Sequence, residues 1–354
     1  MLLCNKQVGE TDFSEYTSVF IPYCTQDIHF GDNKETSYGV QHVGAHNIFG
    51  TLQWIFENFP NPESIFITGC SAGATPLPVL YDLINAHYNQ GGDSSVNIDV
   101  VADSSVFLTP ISFMKNYLST WNIGTILDRI DFDFEAYRFN ESFPYEVLDH
   151  VLERSKKTDD IGYVSHDADG ISLYYYKIMS EGISGLFGRD RELSSAEQDM
   201  YKMSKVTPPH RRRKMNDEES DPVLIKWWEQ MNNSMNLAES THINFDSFVM
   251  EGDGHCSFGL NVPLEYEGFE DWLANLLDGD KTEVDNPTTE STSKGTTLTT
   301  SNADISPTTN ASMVDTTPIG SEANDISAAG QVSSSFSILL MCFLLSWKLL
   351  ISHK

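Results

Sequence analysis

Ser71 stands in Gly69-Cys-Ser-Ala-Gly73, behind the apolar run Ile65-Phe-Ile67 and ahead of a segment with helical spacing. A strand that delivers a serine to a glycine-flanked turn, with a helix leaving beneath it, is the setting of a G-x-S-x-G nucleophile elbow. The two glycines let the backbone turn sharply, and the following residue, Ala72, can offer its N–H to an oxyanion. The pentapeptide alone also describes a plain surface turn, so its meaning depends on the rest of the chain. A serine hydroxyl becomes a useful nucleophile only when a base takes its proton, and the base needs a carboxylate to fix its tautomer. Behind an elbow, an acid and then a histidine are expected in loops after later strands. Asp103 closes the strand-like run that starts at Val96, and His255 lies in Glu251-Gly-Asp-Gly-His-Cys256 after the apolar run 243–250. Of ten histidines, only His242 and His255 lie near a late strand, and His242 precedes it. Asp253 is the rival acid but sits two residues from His255, and Asp99 lies inside its strand. In this reading Ser71 attacks an ester carbonyl, His255 moves the proton and Asp103 orients His255.

Positioning these groups takes a wound sheet. Residues 17–23 read as a buried strand and 24–32 as a loop, while 44–59 carries apolar residues at helical spacing up to Pro60 and Pro62. The strand and elbow follow, then a helix over 79–89, a loop at 91–95 and the strand ending at Asp103. Strand, loop, helix, strand, turn, helix is the order in which parallel sheets are wound. Residues 107–240 are mostly helical in pattern and predict an inserted helical cap; a strand over 243–250 and a closing helix over 269–277 complete the body. Ser165-His-Asp-Ala-Asp-Gly170 has the spacing of a calcium loop, but Ser165 and Tyr176 stand where its first and last carboxylates belong, so it reads as a solvated turn.

Composition narrows the function. A net charge of −29 argues against nucleic acid, which needs clustered Lys and Arg. The one basic island, 210–214, reads as a solvated loop, with an anionic substrate or a processing site as alternatives. Cys4, Cys24, Cys70, Cys256 and Cys342 include no C-x-x-C pair, so no metal or cofactor is indicated; disulfides are compatible, with the pairing open. Sequons at Asn140, Asn232 and Asn310 agree with secretion. From 278 to 335 the chain is rich in Ser, Thr, Asn, Asp and Pro and reads as a stalk, possessing no aromatic residue from which to build a core. Residues 336–354 read as a hydrophobic GPI-attachment signal or a single membrane span, which places the body, 1–277, outside the cell on a membrane anchor. The opening residues are too short for a signal peptide.

Pro22-Tyr-Cys-Thr-Gln-Asp27 with Gly31-Asp32, Gly69-Cys-Ser-Ala-Gly73, Ala102-Asp-Ser104 and Gly254-His-Cys256, in that order, resemble the successive motifs of the pectin acetylesterase and Notum carboxylesterase family. The resemblance, over about 15–275, implies an α/β-hydrolase fold and a triad that falls on Ser71, Asp103 and His255. It also implies removal of small acyl groups from polysaccharide, or of a fatty acyl group from a protein. Ala74 replaces a usual glycine. The family's Gly-Gly-rich, Trp-containing segment, which helps form the oxyanion hole, has no counterpart before Val19. The expectation is therefore an O-acyl (acetyl) esterase whose sequence starts downstream of the first strands, with Ala72 as the visible oxyanion donor. A Notum-like lipid deacylase and a catalytically impaired binding protein are the alternatives.

Overall fold

The computed structural model of the chain describes residues 7–8, 11–181 with short gaps at 37–38, 90–95, 106–107, 115–117 and 138–139, then 222–257, 268–278 and 347–352. The basic island, Cys4, Cys342, the sequon at Asn310, and 279–346, which hold nearly all of the stalk and most of the expected anchor, lie outside the described residues.

Six strands form one sheet: β1 (Thr17–Ile21), β2 (Ser64–Cys70), β3 (Asn97–Asp103), β4 (Ile161–His166), β5 (Phe245–Met250) and β6 (Trp347–Ile351), in the spatial order β1-β6-β2-β3-β4-β5. β2, β3, β4 and β5 run parallel to one another, and β6 runs antiparallel to both β1 and β2. This is the mainly parallel α/β architecture expected from the sequence. The helices that matter to the site are α1 (Gly44–Asn58), α2 (Leu77–Tyr88), α3 (Phe143–Arg154), α4 (Gly170–Glu181), α5 (Pro222–Thr241) and α6 (Phe269–Asp278).

Alternation along the strands divides the core. Ile65 and Ile67 of β2 pack with Ile48, Leu52 and Ile55 of α1 and with Leu77, Leu80 and Ile84 of α2. Phe66 turns to the other face, where it meets Val101, Val164, Leu273 and Leu276. Strands buried on both faces need apolar runs, which β2 carries at 65–67 and β3 at 100–102. α1 lacks a capping side chain at its own Val43. Asp27, fully buried, reaches across instead and accepts the Gly44 N–H at 2.8 Å, satisfying one of the orphan donors of a helix start.

Two elements depart from the sequence expectation. β4 lies within 107–240, whose pattern is mostly helical and predicts a cap; Ile161-Gly-Tyr-Val-Ser-His166 is buried at every position and joins β3 to β5. Gly162 lets the sheet pass close under α6, since a Cβ there would lie 2.7 Å from Leu276. The second departure is β6. Residues 347–351, expected in a membrane anchor, form an inner strand whose Trp347, Leu349, Leu350 and Ile351 are buried. The physical reason is the same apolarity: a run too apolar for water is satisfied by a slot that pairs both of its backbone edges. No helix among the described residues is long and apolar enough to cross a membrane.

Candidate active site

β2 ends at Cys70, and Ser71 takes φ +55° before a single 3-10 turn, Ser71–Gly73, leads towards α2. A left-handed φ on a serine is strained backbone, and it throws the side chain out of the strand line as an elbow requires. Gly69 permits the fold-back: a Cβ there would collide with the carbonyl of Gly73. Ala74 N–H and Thr75 N–H both donate to the Ser71 carbonyl, at 2.9 and 3.1 Å, and Thr75 Oγ1 donates to it at 3.2 Å. Ala72 occupies the amino end of the turn, where N–H groups lack intrahelical partners.

His255 lies in the irregular segment after β5. Its Nδ1 meets both carboxylate oxygens of Asp169, at 2.9 and 2.8 Å, and its Nε2 is buried without a hydrogen-bond partner. With Nδ1 protonated and donating, Nε2 carries the lone pair of a base. Asp169 is fully buried. Its Oδ1 accepts the N–H groups of Ile171 and Ser172 at the start of α4, and its Oδ2 accepts Ser172 Oγ. The carboxylate thus serves as helix cap and histidine support together.

The structure places Asp169, and not Asp103, against the His255 imidazole. Sheet order explains the correction. His255 follows β5, whose neighbour is β4; the acid after β4 reaches it, whereas Asp103 ends β3, one strand further away. Asp103 is buried and accepts from Ser104 Oγ at 3.0 Å. Ser104 Oγ in turn accepts the N–H of Cys256 at 3.1 Å. Read without β4, the segment 165–170 is a solvated turn and Asp169 carries no role. The signal available was the short run Ile161 to Val164, ending at acids just before a helix.

The remaining link is covalent. Cys70 and Cys256 form a disulfide with their Cα atoms 5.4 Å apart, which brings the Cα atoms of the flanking Ser71 and His255 within about 13 Å at most. A ring nitrogen of His255 and the two sulfurs lie within 4.8 Å of one another. In metal sites such a trio ligates through free thiolates, but here the sulfurs are bonded to each other, so the fit to a metal fails in this state.

The pectinacetylesterase family pattern matches residues 1–126, a stretch that holds Ser71, Ala72 and Asp103 but neither Asp169 nor His255. The chain resembles the pectinacetylesterases. Solved structures similar to the chain include the Wnt deacylase Notum from Drosophila in two crystal forms. Form II aligns at 12% identity and a TM-score of 0.41 over 66% of this chain and 59% of that one. Form I aligns at 12% and 0.40 over 66% and 58%. The chain thus spans less than two thirds of the length of the structures it matches. No curated protein sequence matches it.

Proposed function

We propose that the chain is a serine carboxylesterase that hydrolyses O-acyl esters through an acyl-enzyme. Ser71 attacks the ester carbonyl while His255 Nε2 takes its proton. Asp169 holds the ring in the tautomer that leaves Nε2 basic and stabilises the imidazolium. The Ala72 N–H faces the developing oxyanion. The alcohol leaves with the proton from His255, and water repeats the sequence to free Ser71 and the acid. The observation that carries this reading is the buried His255 ring, held at Nδ1 by Asp169 and unpartnered at Nε2, on a loop bonded to the residue before Ser71.

Acetyl esters of polysaccharide are the substrate class that the pectinacetylesterase resemblance supports. One observation favours a second reading. An apolar cavity of about 90 Å³ is lined by Thr75, one turn beyond Ser71, and by Ile28, Phe30, Leu148, Tyr163 and Phe245. Apolar walls suit a hydrocarbon chain better than an acetyl group. Hydrolysis of p-nitrophenyl acetate and octanoate by the wild type and Ser71→Ala tests both levels. Turnover that Ser71→Ala abolishes supports the esterase; equal turnover in both proteins rejects it. A preference for octanoate of tenfold or more in kcat/KM, an order-of-magnitude criterion of about 1.4 kcal/mol, replaces acetyl with a longer acyl group.

A further inference from the structure

Asp169 fixes the direction of the His255 ring, but it does not fix the distance from that ring to Ser71. The segment 251–256 has no regular secondary structure. Its polar ties run to the acid-bearing loop after β4: Gly252 N–H donates to Asp167 Oδ1 at 2.8 Å, Ala168 N–H to the Gly252 carbonyl, and Gly170 N–H to the Asp253 carbonyl. These contacts bind base to acid and leave the nucleophile out. The link to the nucleophile runs through Cys256. Its sulfur is bonded to Cys70, the residue before Ser71, and its N–H is held by Ser104 Oγ, itself bonded to buried Asp103. Ser71, Ser104 and Cys256 take φ of +55°, +53° and +64°. Three non-glycine residues in a sparsely populated region persist only where the surroundings hold them.

We infer that the Cys70–Cys256 disulfide, steadied by Ser104 and Asp103, is the positioning device that sets His255 against Ser71, and that turnover therefore depends on its oxidation state. The inference rests on the esterase reading and deepens it. Reduction by a dithiol passes two electrons and two protons to the disulfide, giving two cysteine thiols and the cyclic disulfide of the reagent. The His255–Asp169 pair survives that change, so the base keeps its tautomer and loses only its placement. Misplacement of reacting groups by about 1 Å costs on the order of a hundredfold in rate.

The test uses the full chain carrying Cys24→Ser, because Cys24 is exposed and unbonded and would reshuffle with the freed thiols. EDTA is present, since the two freed sulfurs and His255 together make a zinc-like ligand set. Dithiothreitol reduction, verified by mass spectrometry, is expected to lower kcat about 10- to 100-fold with KM changed less than threefold, and with the pH profile of kcat unshifted. Reoxidation restores kcat in this protein. The Cys70→Ala/Cys256→Ala form shows the same loss and does not respond to either reagent. Hydrogen exchange of 251–256 accelerates at least tenfold on reduction while β2 and β3 stay protected. Unchanged kcat and unchanged exchange in the fully reduced protein overturn the inference. So does mass spectrometry that finds Cys70 and Cys256 unbonded in the active protein. If the Ala pair fails to fold, reduction of the folded chain decides alone. If the oxidised protein shows no Ser71-dependent turnover, the esterase reading falls, and unaccelerated exchange on reduction separately rejects the disulfide as the tie of the loop.

Discussion

Two buried aspartates near one histidine have different work, and substitution separates them. Asp169→Asn keeps the shape but offers Nδ1 an amide in place of a carboxylate; kcat is expected to fall roughly 10³- to 10⁴-fold, with KM little changed. Asp103→Asn, acting through Ser104 on the Cys256 backbone, is expected to cost less than about a hundredfold. Steady-state kinetics on one acyl ester checks both, and the reverse ranking would return the acid's role to Asp103. The tight turn at Ser71 and the irregular loop that carries His255 were legible in the sequence because a glycine-flanked turn and a late glycine-rich histidine loop are local patterns. Asp169 was not, because which acid faces His255 depends on which strands are neighbours. A third side chain in the same loop system sets a pH dependence. Burial holds the His166 imidazole below its ordinary value of 6.5, outweighing the pull of Asp169, Asp167 and Asp253, and His255 adds to the lowering. A histidine depressed in the folded state binds more protons when unfolded, so its share of stability is complete above 6.5 and is lost as pH falls towards the folded value. The drop in Tm from pH 7 to pH 5.5 should shrink in His166→Asn, measured by calorimetry; parallel profiles would remove His166 as the cause.

At the scale of elements, β2, the elbow, α2 and β3 could be read directly, since apolar runs, glycines and prolines mark them locally. β4 is six residues long with one polar pair at its end, too short for periodicity to distinguish it from the helices around it. β6 shows a different limit. An apolar run signals only that water must be avoided, and a sheet slot avoids water as a bilayer does. The two answers predict opposite results for removal of residues 347–354. Burial of each large side chain of β6 is worth about 1.5–3 kcal/mol, and four of them together rival the whole stability of a domain, about 5–15 kcal/mol. The shortened protein is expected to lose its cooperative thermal transition, followed by circular dichroism. A truncated chain that melts at the wild-type temperature would show that β6 contributes nothing to the sheet. Gly69→Ala supplies the local counterpart. Its Cβ would run into the Gly73 carbonyl and lie 2.9 Å from Trp347 Cβ, so it should destabilise by about 1–3 kcal/mol, the usual cost of overpacking.

Over the whole molecule the charge of −29 becomes a property of substrate capture. A strongly negative body repels an anionic polymer at distances up to the Debye length, about 30 Å at 0.01 M salt and about 8 Å at 0.15 M. For an acylated polyuronate, kcat/KM should rise several-fold between those salt concentrations, while a neutral acyl ester should show no such rise. A flat response for the anionic polymer would place the site away from the repelling field.

The pairing of Thr17 and Ile65 with Ile351 also has a meaning in time. A chain made from its amino end cannot close this sheet until residues 347–351 have emerged, because the strand between β1 and β2 is encoded far beyond both of them. Until then the facing edges of β1 and β2 stand open, a template for pairing with other chains. The solubility of the growing chain therefore depends on how long that interval lasts, and a ribosome that stalls before residue 347 leaves behind an unsealed sheet.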